Sequence, residues 1–114
     1  MTVRELYDAL DTRIPKALSC PWDNDGLAVC PTPDAPVRGV LIALDPTEDA
    51  VERAIKTGCN VLITHHPLLF HGIKAVDGSD TASRKVIRLI ASGVAAMSFH
   101  TRLDAVEGGV NDML

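Results

Sequence analysis

Apolar positions in this chain recur first at helical spacing and later as short continuous runs, and the change of period marks out its elements. Val3, Leu6, Tyr7 and Leu10 fall on one face of a helix. Ahead of them, Thr2-Val3-Arg4-Glu5 sets a hydroxyl at the N-cap with a glutamate three residues on, the pattern of a capping box. An amphipathic helix is therefore predicted over residues 3 to 12. Pro15, Pro21, Pro31, Pro33 and Pro36 then exclude long regular elements from residues 13–36. Within that stretch Gly26-Leu27-Ala28-Val29 reads as one short strand.

From residue 37 the pattern tightens. Val37 to Leu44 is an apolar run of strand length. Thr47 follows as an N-cap, with Glu48 and Asp49 placed to favour a helix N-terminus. Val51, Ala54 and Ile55 give that helix a buried stripe, and Gly58 stops it. Asn60 to Thr64 forms a second apolar run, and a loop from His65 to about Asp80 leads into a helix predicted over 81–92. Val86, Ile87, Leu89 and Ile90 mark the inner face of that helix, Gly93 ends it, and Val94 to Phe99 is the third strand. Strand, helix, strand, helix, strand in this order produces parallel strands joined by right-handed crossovers. The expected fold is α/β: a three-layer α/β/α arrangement over a mostly parallel sheet with a βαβαβ core.

Composition narrows the picture. A chain of 114 residues suits one domain, spanning 1–114. Hydrophobic residues make up 46% of it but aromatics only 4%, so the core must be filled by Val, Ile, Leu and Ala, the usual content of a covered parallel sheet. The formal charge is −4 and the Lys and Arg residues are dispersed, which gives nucleic-acid binding little electrostatic support. No apolar run, Val94 to Phe99 included, approaches the ~20 residues that span a bilayer. Cys20, Cys30 and Cys59 fit neither a disulfide framework nor a zinc knuckle. As three reduced thiols behind a signal-free N-terminus they point to the cytoplasm, and they read best as small buried hydrophobes.

Candidate chemistry gathers where the strands end. Ligands of an open parallel sheet bind outside the carboxyl ends of its strands. There the first strand presents Asp45, the second His65-His66, and the third His100 with Asp104 four residues on; His71 lies farther along the second loop. Successive side chains on an extended chain diverge, but at a strand terminus the backbone can turn, and Pro67 biases His66 towards an extended conformation. Two imidazoles and a carboxylate suit zinc, iron, manganese or nickel, as a facial triad or as part of a dinuclear hydrolytic site. Each residue also has a plain role open to it. The His-His pair makes a solvated turn, Asp104 a helix cap, Asp45 before Pro46 a turn former, and His100 a hydrogen-bond partner for Asp104 or Thr101.

At these residues the sequence resembles the NIF-three-like family, whose members are often described as GTP cyclohydrolase 1 type 2. The resemblance is carried by Trp22-Asp23-Asn24-Asp25-Gly26-Leu27, by Ala43-Leu44-Asp45-Pro46-Thr47, and by Leu62-Ile63-Thr64-His65-His66-Pro67-Leu68. His100-Thr101-Arg102-Leu103-Asp104 and Gly108-Gly109-Val110-Asn111-Asp112 complete it, in matching order along nearly the whole chain. It implies a metal-dependent hydrolase with a dinuclear centre, assembled as a toroidal homo-hexamer. His65, His66 and Asp104 are then metal ligands for up to two divalent ions. His100 and Asp45 are candidates for catalytic roles in the same pocket, and the substrate is a small molecule, a nucleotide or another phosphoester. No glycine-rich phosphate loop precedes a helix here, so GTP itself has no support from the residues. Two departures stand out. Arg102 replaces a common Asn and is expected to place a cation beside the site. The chain also matches only the N-terminal half of family members, in which a distal His and Glu complete the metal centre. A non-catalytic metal-binding scaffold and an inactive half-domain therefore stand beside the hydrolase reading.

Overall fold

The structure, a computed structural model, describes residues 1–113. Helix α1 (Val3–Arg13) starts at the expected capping box, with Thr2 and Glu5 each accepting from the other's backbone N–H. A single 3-10 turn (Lys16–Leu18) and strand β1 (Gly26–Val29) follow. Then come β2 (Val40–Ala43), α2 (Glu48–Lys56), β3 (Val61–Thr64), α3 (Thr81–Ser92), β4 (Ala95–Ser98) and two short helices, α4 (Thr101–Ala105) and α5 (Val110–Met113). The sheet order is β1-β4-β3-β2. β2, β3 and β4 run parallel, and β1 adds to β4 antiparallel.

The predicted layers form. On one sheet face Val51 and Ala54 of α2 and Val86 and Leu89 of α3 pack on Val29, Leu62 and Ala96. On the other, Val3, Leu6, Tyr7 and Leu10 of α1 pack on Val61, Ala95, Met97 and Phe99. β4 is central, and all four of its residues are buried. The edge strand β2 differs: Ile42 is 75% exposed and Leu44, just beyond it, 62%, because α1 covers β4 and β3 but stops short of this edge.

Three expectations need correction. Ile87 and Ile90, read as part of the inner face of α3, are 45% and 54% exposed, because the face turned to the sheet is the three-residue stripe Ser83, Val86 and Leu89. The first strand is shorter than the apolar run Val37–Leu44, because residues 37 and 38 spend their backbone donors elsewhere. Val37 N–H donates to Met1 O and Arg38 N–H to the side chain of buried Asn60. The three cysteines are free thiols but only partly buried; burial nonetheless pushes the Cys30 thiol up from its ordinary pKa. No described helix is long and apolar enough to cross a membrane.

The proline-rich segment is locked to the sheet by a buried ion pair. Arg102, on α4, is wholly inaccessible. Its Nε and Nη2 donate to both carboxylate oxygens of Asp25, at 3.0 and 3.3 Å. Nη1 reaches Asp11 at 2.8 Å and the Ile14 carbonyl at 3.2 Å, Nη2 also reaches the Tyr7 hydroxyl, and the guanidinium lies 5.0 Å over the Phe99 ring. Gly26 makes room for this group. Its φ is +120°, and a Cβ there would meet the Tyr7 hydroxyl at 2.9 Å and Arg102 Nη2 at 3.1 Å. Burial pushes the Asp25 carboxyl up, but hydrogen bonds from Arg102, Lys16, the His100 N–H and Ser19 outweigh it and hold it well below the usual carboxylate range.

This packing sets the expected response to four changes. Leu62→Ala, at a fully buried core position, should cost about 2–5 kcal/mol in urea unfolding, whereas Ile42→Thr should stay within about 1 kcal/mol because the side chain is largely solvated and remains β-branched. Arg102→Met should cost about 3 kcal/mol or more by the same measurement, since it leaves the Asp25 charge buried with Lys16 as its one remaining cation. A carboxyl depressed in the folded state contributes stability above its unfolded pKa, and the contribution is lost as pH falls towards the folded value. Acid unfolding should therefore steepen below about pH 3.9 and flatten in Asp25→Asn.

Candidate metal centre

The carboxyl ends of β2, β3 and β4 meet at one edge, and the backbone there is fixed before any side chain is considered. The His66 N–H donates to Leu44 O, and the Phe99 N–H to Thr64 O. The Thr64 hydroxyl donates to His66 O at 2.7 Å. These bonds bend the chain at His65-His66, so the adjacent imidazoles converge instead of diverging, with ring centroids 5.1 Å apart. His100 closes the figure: its ring lies 5.1 Å from that of His65 and 5.4 Å from that of His66. One ligand nitrogen from each of the three lies within 4.8 Å of the other two, a spacing that modest side-chain rotation would close to the roughly 3.3–3.4 Å between tetrahedral ligands on an ion with bonds of about 2.0–2.1 Å.

Each ring is oriented through Nδ1. His65 Nδ1 lies 3.0 Å from the Phe99 carbonyl, His66 Nδ1 2.6 Å from Asp45 Oδ1, and His100 Nδ1 3.2 Å from Asp23 Oδ1. A carbonyl and two carboxylates are acceptors only, so Nδ1 donates in all three pairs and the Nε2 lone pairs stay free. This is the arrangement in which metal-binding histidines are held by their outer partners. Asp104 Oδ1 stands 3.9 Å from His65 Nε2 and adds negative charge beside the cluster. His71 stays outside it, its ring packed edge-on against Phe70.

The third imidazole depends on the segment that reads Trp22-Asp23-Asn24-Asp25. Asp23 has no side-chain exposure, and its Oδ2 accepts from both the backbone N–H and the hydroxyl of Thr101. Asp25 Oδ2 accepts the His100 N–H at 2.8 Å. The two carboxylates thus cap the start of α4 from a distant part of the chain. Burial raises the Asp23 carboxyl, but the Thr101 and His100 hydrogen bonds prevail and lower it overall. Asn24 reaches across to Leu69 O and ties this segment to the loop after β3. Trp22 and Phe70 form a half-open aromatic rim, each with its ring edge-on to that of His100.

The structure brings His65, His66 and His100 together, with Asp104 alongside His65. Asp45 meets His66 through Oδ1 and orients that ring. Arg102 departs from expectation: its guanidinium points away from the imidazoles into the Asp25 cluster, where two carboxylates and an aromatic face satisfy it, and no cation stands beside the site from this residue. Asp23 was not among the residues singled out by chemistry. An acid 77 positions before its histidine leaves no spacing signal; only its place in a family motif marked it.

Comparison with known proteins agrees with this architecture. The protein related to NIF3 from Bacillus cereus superposes with a TM-score of 0.89 at 37% identity, over 99% of this chain and 31% of that one. Reduced HcgD from Methanocaldococcus jannaschii gives 0.89 at 34%, over 98% and 44%. Among curated relatives, the GTP cyclohydrolase 1 type 2 homolog of Clostridium acetobutylicum is 35% identical over 112 residues, 98% of this chain and 41% of its own length. That of Staphylococcus epidermidis is 37% identical over 116 residues, 100% of this chain and 31% of its own. The chain thus spans well under half the length of these relatives. With the Duf34/NIF3 (NGG1p interacting factor 3) model matching residues 1–114, the chain belongs to the DUF34/NIF3 family.

Proposed function

We propose that this protein binds divalent metal through His65, His66, His100 and Asp104, and that the metal serves hydrolysis of a nucleotide or another phosphoester. The observation that carries the reading is the set of three imidazoles whose Nδ1 atoms each lie against an acceptor and whose ligand nitrogens lie within 4.8 Å of one another; with Nδ1 donating, Nε2 is the atom left to bind a metal. Neutral imidazole with carboxylate suits zinc, iron, manganese or nickel.

When bound, such an ion supplies Lewis acidity and activates water near neutral pH. The chain's own residues do the remainder. His65 and His100, both largely buried, fix one wall, and half-exposed His66 and Asp104 border the open side. Asp104 balances the cation's charge. The names of the relatives point to a purine nucleotide, and the aromatic rim of Trp22 and Phe70 offers apolar surface to such a molecule. Because the chain spans 41% and 31% of two curated relatives, the hydrolase activity, a second metal and the hexameric assembly that the family resemblance implies all belong to the proposal.

His65→Ala and Asp104→Ala should each lower bound zinc per chain, with affinity falling more than about 10-fold, while far-ultraviolet circular dichroism stays unchanged. Metal content would be measured by mass spectrometry of the native protein. Equal content in both variants and the unaltered chain would reject the site.

A further inference from the structure

A histidine binds metal only through a nitrogen that carries no proton, so a site of this kind is built by whatever chooses the tautomer. For His65 the choice is made by a backbone carbonyl, which no side-chain substitution at that acceptor removes. For His66 it is made by Asp45, a pair that is half exposed on both sides, where water can replace either partner. His100 alone depends on a buried side chain. We propose that Asp23 is a positioning residue of the metal centre, holding His100 in the Nδ1–H tautomer so that Nε2 faces His65 and His66.

The geometry makes Asp23 suited to this and hard to replace. One oxygen, Oδ1, accepts from His100 Nδ1 at 3.2 Å; the other, Oδ2, accepts from the Thr101 N–H at 3.0 Å and from the Thr101 hydroxyl. Both oxygens act as acceptors, and only a carboxylate offers two. The isosteric amide of Asn would have one acceptor. Turned to satisfy the Thr101 N–H, it would present its NH2 to His100, and Nδ1 would then have to accept. That places the proton on Nε2 and blocks the metal-facing atom, while shape and helix cap are kept. Exchange of a carboxylate for an amide beside a functional histidine is known to impose the wrong tautomer in this way.

The role rests on the metal reading given above, and the test separates the two. Long-range proton–nitrogen correlation spectra of the metal-free protein should show His100 as Nδ1–H, and as Nε2–H in Asp23→Asn. Zinc affinity, measured by competition with a chromophoric chelator, should fall about 10- to 100-fold in that variant with unfolding little changed. Thr101→Val is the control. It removes the hydroxyl that donates to Asp23 and accepts the Cys20 N–H, loosening the same segment without touching the His100 bond, and it should leave tautomer and zinc affinity as they were. An Nε2–H tautomer in the unaltered protein would overturn the proposal without any variant. So would an Asp23→Asn protein that keeps both tautomer and affinity, or a Thr101→Val protein that loses zinc equally, since Asp23 would then be a structural support only. Failure of the unaltered protein to bind zinc while its tautomer is as expected would instead overturn the metal reading, and this role with it.

Discussion

The salt bridge between Arg102 and Asp25 is the joint on which the site turns. A guanidinium with no exposure must find acceptors inside the protein or cost several kcal/mol. It finds them in α1, in the turn that follows, and in the segment leading into β1. That requirement draws α4 onto a part of the chain 77 to 91 positions earlier in sequence. Once Asp25 is held there, Asp23, two residues earlier in the same segment, reaches the first turn of α4 and the ring of His100. A cation that the sequence suggested for the imidazole cluster therefore acts behind it, as the anchor of the residues that orient His100.

Much of the architecture was legible because it is local. Capping residues at Thr2 and Thr47, the buried pair Val86 and Leu89 and the stop at Gly93 each act over a few positions, and α1, α2 and α3 begin and end close to where those signals stand, whereas Ile87 and Ile90 read as inner-face residues and lie exposed. Parallel order followed from the alternation of strands and helices. The antiparallel direction of β1 and the true start of β2 did not, because they are set by partners distant in the chain: β4 for one, Met1 and Asn60 for the other.

The site divides along the same line. His65, His66, His100 and Asp104 were visible since strand ends can be located from the apolar runs and the chemistry sits on them. What orients them was not. Asp23 is a carboxylate in a proline-rich stretch, and the carbonyl of Phe99 has no side-chain identity at all. Sequence spacing finds groups that share an element; it does not find acceptors brought in by tertiary packing. Arg102 illustrates the reverse error, a residue placed by its neighbours in sequence at a site from which its own hydrogen bonding removes it.

Trp22 is the only tryptophan in the chain, and it lies 60% exposed with its ring centroid 6.2 Å from that of His100. Its emission therefore comes from one place, the mouth of the imidazole cluster, with no background from the core. The molecule carries its own optical label at the point where a solute or an ion would arrive, and occupancy of that mouth can be followed by light without attaching anything to it.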